Sequence, residues 1–333
     1  MKPAWLIALA LVPVAACDDE PVPSDPEAIL FGSGTYTVSS TLTPQATAVL
    51  PQQAVDIVDA LRGLRDQPGR TMFDLAEEAG VPALDELRSA LPDSLESRIY
   101  GWIDEAMDGI TYGDGPAAEA IDAVVDAAET VIGEVRLTST LDLDAPSSTH
   151  RLRTMAFALP HVDARFDLDA LAGTPVALSV QAPTLLQATP MRVSFGRHAF
   201  GLPYGELAYQ AIEAEVRARY GTDVHGLLAA AIDCPAIAAE VANQCVVGVC
   251  VRNQPQLREI CEGAVDYLAD ELHDRFAAAR FDALTFDAGT GVLAEGDTLD
   301  GQADAITGGV WTATVDIGLG PRPVPATFTA SRK

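Results

Sequence analysis

Val310-Trp311-Thr312-Ala313-Thr314-Val315-Asp316-Ile317 carries the strongest strand signal in the chain. Trp311, Ala313, Val315 and Ile317 take alternate positions, with Thr312, Thr314 and Asp316 between them, the period of a strand with one apolar face. Gly318-Leu319-Gly320-Pro321-Arg322-Pro323 turns the chain, and Ala326, Phe328 and Ala330 return with threonines between. The spacing predicts a β-hairpin.

Residues 134–200 repeat this pattern in shorter pieces. Val135 to Leu141, Arg151 to Leu159, Val176 to Val180 and Arg192 to Phe195 each alternate, which predicts an antiparallel meander. Gly34-Thr35-Tyr36-Thr37-Val38-Ser39-Ser40-Thr41-Leu42 is a further strand, rich in β-branched residues. Helical spacing occupies the gaps. Ala54, Ile57, Val58, Leu61 and Leu64 share one face of a helix ending near Pro68-Gly69. A second helical region runs from Thr71 to Asp108 with breaks near Gly80 and Pro92, and Gly113-Asp114-Gly115-Pro116 opens a third that Gly133 ends. Residues 205–220, 222–242 and 255–278 also read as helices. The order is strand, helices, strands, helices, strands, without regular βαβ alternation. The fold class is therefore α+β, with amphipathic helices on one face of an antiparallel sheet. Residues 31–333 form one such domain, or two lobes divided near 134–200.

Cys234, Cys245, Cys250 and Cys261 fall in and between the last two helices. Four cysteines allow three pairings, and the sequence alone does not choose among them. An antiparallel helical hairpin brings symmetric positions together, which favours Cys234–Cys261 with Cys245–Cys250 nested inside. A metal site is the alternative, but no CxxC pair or helical histidine spacing supports it.

The N-terminus carries Lys2, an apolar run from Ala4 to Ala16, and then the acidic Asp18-Asp19-Glu20. The run is too short to cross a bilayer, and Pro13 interrupts it; it has the parts of a secretory signal over residues 1–16. Val14-Ala15-Ala16-Cys17 resembles the lipobox of bacterial lipoproteins. The resemblance implies cleavage before Cys17, lipid on that cysteine, and a place in the cell envelope. Residues 17–30, with Pro21, Pro23 and Pro26 among five carboxylates, read as a stiff, self-repelling tether. Cys234 and Cys261, the Asp- and Gly-rich turn after them and Gly309-Val310-Trp311 together resemble envelope lipoproteins of Gram-negative bacteria over residues 200–333. That resemblance implies no particular activity.

The formal charge of −27, from 48 acidic and 21 basic residues, repels nucleic acid and anionic headgroups. Lipid on Cys17, rather than basic charge, is then expected to attach the chain to its membrane, with no nucleic-acid partner.

Candidate chemistry is sparse. Glu119, Asp122, Asp126 and Glu129 share one helical face, as carboxylates of di-metal bundles do, but without the histidine spacing such sites use. They read as a solvated acidic face. Residues 295–304 resemble a degenerate calcium loop, with Asp300-Gly301 and Asp304 in register and Asp297 out of it. Gly296 and Thr298 replace the first two acidic ligands, so a β-turn is the reading and Asp297, Asp300 and Asp304 the calcium alternative. His150, His161, His198, His225 and His273 are scattered, with no partner at i+4, and each reads as a surface or core residue. Gly32-Ser33-Gly34 lacks the nucleophile-elbow context, and Gly318-Leu319-Gly320 leads into no helix. No catalytic residue and no cofactor is assigned. The expected role is a non-catalytic structural or interaction module with an envelope protein as partner; the alternative is a carrier or sensor of an apolar ligand.

Overall fold

The computed structural model describes residues 31–44, 52–90, 93–171, 177–187, 191–246, 249–279, 281–295, 301–316 and 320–333. The signal, Cys17 and the tether lie outside these residues, as do Asp297 and Asp300 of the calcium alternative. Strand β1 (Gly34–Leu42) is followed by helices α1 (Gln52–Asp66), α2 (Pro68–Glu78), α3 (Pro82–Ala90) and α4 (Asp93–Asp108). The short strands β2 (Thr111–Tyr112) and β3 (Gly115–Pro116) precede α5 (Ala117–Gly133). Six strands come next: β4 (Val135–Leu143), β5 (Ser147–Ala158), β6 (Asp163–Asp167), β7 (Ser179–Gln187), β8 (Arg192–Phe195) and β9 (His198–Leu202). Then come α6 (Tyr204–Tyr220), α7 (Val224–Ala231), α8 (Cys234–Ala242), β10 (Cys245–Val246), β11 (Val249–Cys250) and α9 (Gln254–Ala278). The chain closes with β12 (Phe281–Ala294), β13 (Ala305–Asp316) and β14 (Arg322–Arg332).

Helices and antiparallel strands are both present, and the sheet is closed. Its order is β13-β14-β1-β4-β5-β7-β8-β12, and β12 pairs again with β13, which makes an eight-stranded antiparallel barrel. β9 continues the line of β8 along the long strand β12, and β6 extends β5 outside the ring. Closure removes the sheet edges that would otherwise pair with other chains. The α+β class holds, and the antiparallel sheet expected to carry helices on one face is more specifically a closed barrel. The strand that closes it, β12, alternates weakly through Gly289 and Gly291, and its period is interrupted by bulges near Asp287 and Gly291.

The barrel has two different ends. β1 leaves at Leu42 toward α1, α5 delivers β4 at Val135, β9 leaves at Leu202 for α6, and α9 delivers β12 at Phe281. The register places Leu42 beside Val135 and Ala326, and Phe281 beside Leu202, so all four crossings share one end. The helices from 52–133 and 204–279 combine there into one bundle. At the other end, the mouth, Phe31 N–H donates to the Gly301 carbonyl at 2.8 Å, Ala303 N–H donates to the Phe31 carbonyl, and Tyr36 OH donates to the Gly32 carbonyl. Gly32 crosses the mouth against the side chains of Leu186 and Leu293. A single buried core runs through both halves.

Side chains fill the barrel, as its strand number allows. Trp311 stacks on Phe328 with centroids 4.3 Å apart and meets Phe195 and Phe286. Gly289, its cross-strand neighbour, makes room: a Cβ there would come within 2.0 Å of the indole. In the bundle, the helix expected over 222–242 is two. Asp233 accepts from the Ala236 N–H and Pro235 starts α8, so the chain restarts at a new N-cap. Val224–Ala242 is long and apolar enough by composition to cross a membrane, but half of it is buried in the bundle and this break divides it. Cys234 on α8 and Cys261 on α9 form a disulfide across 27 residues, as the hairpin geometry favours. Cys245 is also disulfide-bonded, and the register of the small ribbon sets it opposite Cys250.

Candidate functional site

Ser139, His150 and His198 meet inside the barrel. Each lies on an inward position of its strand: Ser139 on β4, His150 on β5, His198 on β9. Arg153 is an extra residue in β5, between the pairs Thr138–Thr154 and Ser139–Leu152. This bulge shifts the phase, so Ser148, His150 and Leu152 point inward before it, and Met155 and Phe157 after it. Between β8 and β9 the chain bends at Gly196, whose N–H donates to the Pro183 carbonyl. A Cβ on Gly196 would press to 2.9 Å from the Pro183 ring.

The hydrogen bonds form a chain with a single direction. His198 Nδ1 lies 2.9 Å from the Gly196 carbonyl, which only accepts, so Nδ1 carries the hydrogen. Burial lowers the His198 pKa, against the pull of that carbonyl, and the ring is neutral at pH 7. Its Nε2 then accepts from His150 Nδ1 at 2.9 Å, which leaves His150 Nε2 to accept from the Ser139 hydroxyl at 2.8 Å. One carbonyl thus assigns both tautomers. Burial first, and the neighbouring His198 second, lower His150 to about 3.

Serine, histidine and an orienting group in this polarity resemble an acyl-transfer triad. Two features work against that use. A base with a pKa near 3 has little drive to take a hydroxyl proton at neutral pH. Trp311 stacks on His150, while Phe200 and Phe286 close on both imidazoles, and Ser139 and His150 are each 1% exposed. The arrangement acts as an internal polar crosslink between β4, β5 and the β8–β9 bend. Ser40, which accepts from Trp311 Nε1 at 3.2 Å, and Ser148, which accepts from the Thr184 hydroxyl at 2.8 Å, add two smaller ones.

A third histidine ties barrel to bundle. The buried Glu215 carboxylate on α6 accepts from His161 N–H at 3.0 Å and pairs with His161 Nδ1 at 2.5 Å, leaving the half-exposed ring open to solvent on its other side. His225 and His273 sit on the surface beside Asp266 and Asp274.

On the bundle surface, a groove of about 540 Å³ lies between α1, α2 and α9. Asp56, Asp59, Asp74, Glu78, Thr71, Tyr267 and Arg275 line it. The acidic face of α5 is partly neutralised by its neighbour: Arg62 on α1 pairs with Glu129 at 2.6 Å and Arg65 with Asp122 at 2.9 Å. Asp304 of the calcium alternative stands at the mouth, where its carbonyl accepts from Arg332 N–H and its own N–H donates to Ala294. Among the described residues, no three His, Cys, Asp or Glu side chains converge as metal ligands.

The relay was hidden in the sequence because its members are 11 and 48 residues apart. The available signal was polar residues at inward-phase positions of the strands, a pattern that needs the Arg153 bulge to be read correctly. No family model, curated protein or solved structure matches the chain.

Proposed function

We propose that the chain is an exported lipoprotein, acylated on Cys17, whose folded part serves the cell envelope as a non-catalytic interaction module. The observation that carries this reading is the layout. The segment after the tether meets the barrel at its mouth, through Phe31, while the helices gather at the opposite end. A chain held by its N-terminus therefore offers the bundle outward, with the groove of Asp56, Asp59, Asp74 and Glu78 on it. The partner that suits such a groove is a basic segment of another envelope protein. The filled barrel favours a module over a carrier, since an apolar ligand would have to displace Trp311, Phe286 and Phe328 from their contacts.

Mass spectrometry of the N-terminal peptide from cells is expected to show acyl chains on Cys17, and Cys17→Ser to release the protein from the membrane fraction. Titration with an arginine-rich peptide is expected to show binding that Asp56→Asn with Asp74→Asn weakens. An unmodified Cys17 peptide would overturn the anchor. Hydrolysis of an ester substrate that Ser139→Ala abolishes would overturn the non-catalytic reading.

A further inference from the structure

The net charge is not spread over the molecule, and the side of the barrel that escapes it is also where its apolar residues are exposed. Phe31, Leu185, Val292 and Val310 are 69%, 58%, 42% and 53% exposed. Register puts three of them on one outer wall. Leu185 on β7 faces Ser194 on β8, Ser194 faces Thr290 on β12, and Thr290 faces Val310 on β13. That row spans three interstrand steps, about 14 Å at the usual spacing. Val292 lies on the same face, two residues nearer the mouth, and Phe31 stands at the mouth itself.

The wall is also free of carboxylates. Residues 177–187, 191–202, 288–294, 305–315 and 322–333 contain no aspartate or glutamate, in a chain that has 48. Arg192 stands on the wall itself, opposite Val292; Arg197 at its edge pairs with Asp287, and Arg322, Arg332 and Lys333 belong to the neighbouring β14 and the C-terminus. Asp287 and Asp316 lie toward the bundle. At the mouth, Glu295 accepts from Gly301 N–H, and Asp304 stands beside it in the ladder. Exposed valine, leucine and phenylalanine among threonines, with Arg192 beside Val292 and no acid between them, match a phospholipid surface.

We propose that this wall, formed by β7, β8, β12 and β13 near the mouth, rests on the anionic bilayer that holds the chain. The inference rests on the anchored reading above, and the place where the undescribed segment joins the fold selects the occupant. Phe31 stands at the mouth, and the 14 residues 17–30 that precede it could span at most about 50 Å if fully extended. Tethered that closely, a contact too weak to recruit free protein is enough to orient an anchored one. The net charge opposes binding from solution; it does not exclude a seated wall that has no carboxylate among its exposed apolar residues.

The test separates orientation from acylation. The chain without its leader, with Cys17→Ser and an N-terminal histidine tag, is held on vesicles by nickel-chelating lipid, so that lipid on Cys17 plays no part. An environment-sensitive dye is placed on Val292→Cys, on Leu185→Cys and, as the bundle control, on Ser89→Cys. On phosphatidylethanolamine–phosphatidylglycerol vesicles, the dyes at 292 and 185 are expected to shift to the blue and to be quenched several-fold more by spin-labelled lipid than the dye at 89. Substituting Val310→Asp with Arg192→Glu is expected to abolish the difference while leaving circular dichroism unchanged. Equal, weak quenching at all three positions would overturn the proposal. So would a stable dimer in lipid-free solution that buries residue 292, because the wall would then serve a second copy. An unacylated Cys17 in cells would remove the anchor without altering the vesicle result.

Discussion

The two halves of the molecule solve the same problem with opposite distributions of polarity. The bundle keeps an interior dominated by Leu, Ile, Val and Ala, sets its charged residues outside except for Glu215, which pairs with His161, and is stapled by Cys234–Cys261. The barrel places Ser139, His150 and His198 at its centre and exposes a largely uncharged wall of threonine, proline and valine. A helix satisfies its own backbone, so the bundle needs only packing and a covalent tie. A barrel built from distant strands has many alternative registers, and a one-residue slip turns every side chain to the other face. Buried polar groups that are satisfied in one register and orphaned in the others penalise those slips. On this argument the Ser139–His150–His198 relay favours the native register as well as adding stability.

The largest effect is expected from removing the relay. His150→Ala leaves His198 Nε2 and the Ser139 hydroxyl without partners and opens a cavity against Trp311, a loss of about 4 kcal/mol. Urea unfolding of the Trp102→Phe background, in which Trp311 reports on the barrel once the leader is absent, measures it. A loss under about 1 kcal/mol would mean that the barrel holds its register without the histidines. Next in size is the bundle's staple. Replacing Cys234 and Cys261 with alanine frees a 27-residue loop in the unfolded chain and is expected to cost about 3.5 kcal/mol by loop entropy. Trp102, on α4, reports on the bundle in the complementary Trp311→Phe background. If both substitutions shift both probes equally, the halves unfold as one unit and the contrast concerns composition alone.

The same contrast governs what could be read from the chain. The helices were legible because their period is local: Ile57, Leu61 and Leu64 mark α1, and the breaks at Gly80 and Pro92 fall between α2, α3 and α4. The disulfide followed from that local reading. Asp233 escaped notice as a helix break because Leu227 to Val241 stays apolar through it. The hairpin at Trp311 was legible for its strict alternation, but barrel closure was not. Closure depends on β12, whose Gly289 and Gly291 carry no side chain to show the period. Those glycines are required by Trp311 and Ile306, residues that pack on them from another strand. His150 and His198 lie in the core and His161, His225 and His273 at the surface; the union of the first two with Ser139 is a property of register, which no local window contains.

The smallest of the three effects is the most specific to the barrel. His150 is held near a pKa of 3 in the folded protein by burial and by its neighbour, against an ordinary value of 6.5. A lowered folded value means that the unfolded chain binds the proton more readily, so stability is complete above about pH 6.5 and falls as pH drops toward 3. At pH 5 the loss from His150 is about 2 kcal/mol, and His198, lowered in the same direction, adds to it. Carboxylates titrate near the end of this window, so the informative quantity is a difference. Urea midpoints at pH 7 and pH 5 are compared between the parent and His150→Gln, which retains a donor and an acceptor but takes up no proton. The parent is expected to lose about 2 kcal/mol more than the variant. Equal losses would mean that water reaches the relay and lets His150 charge in place. The barrel would then be open to water where Trp311, Phe200 and Phe286 now close on the two imidazoles.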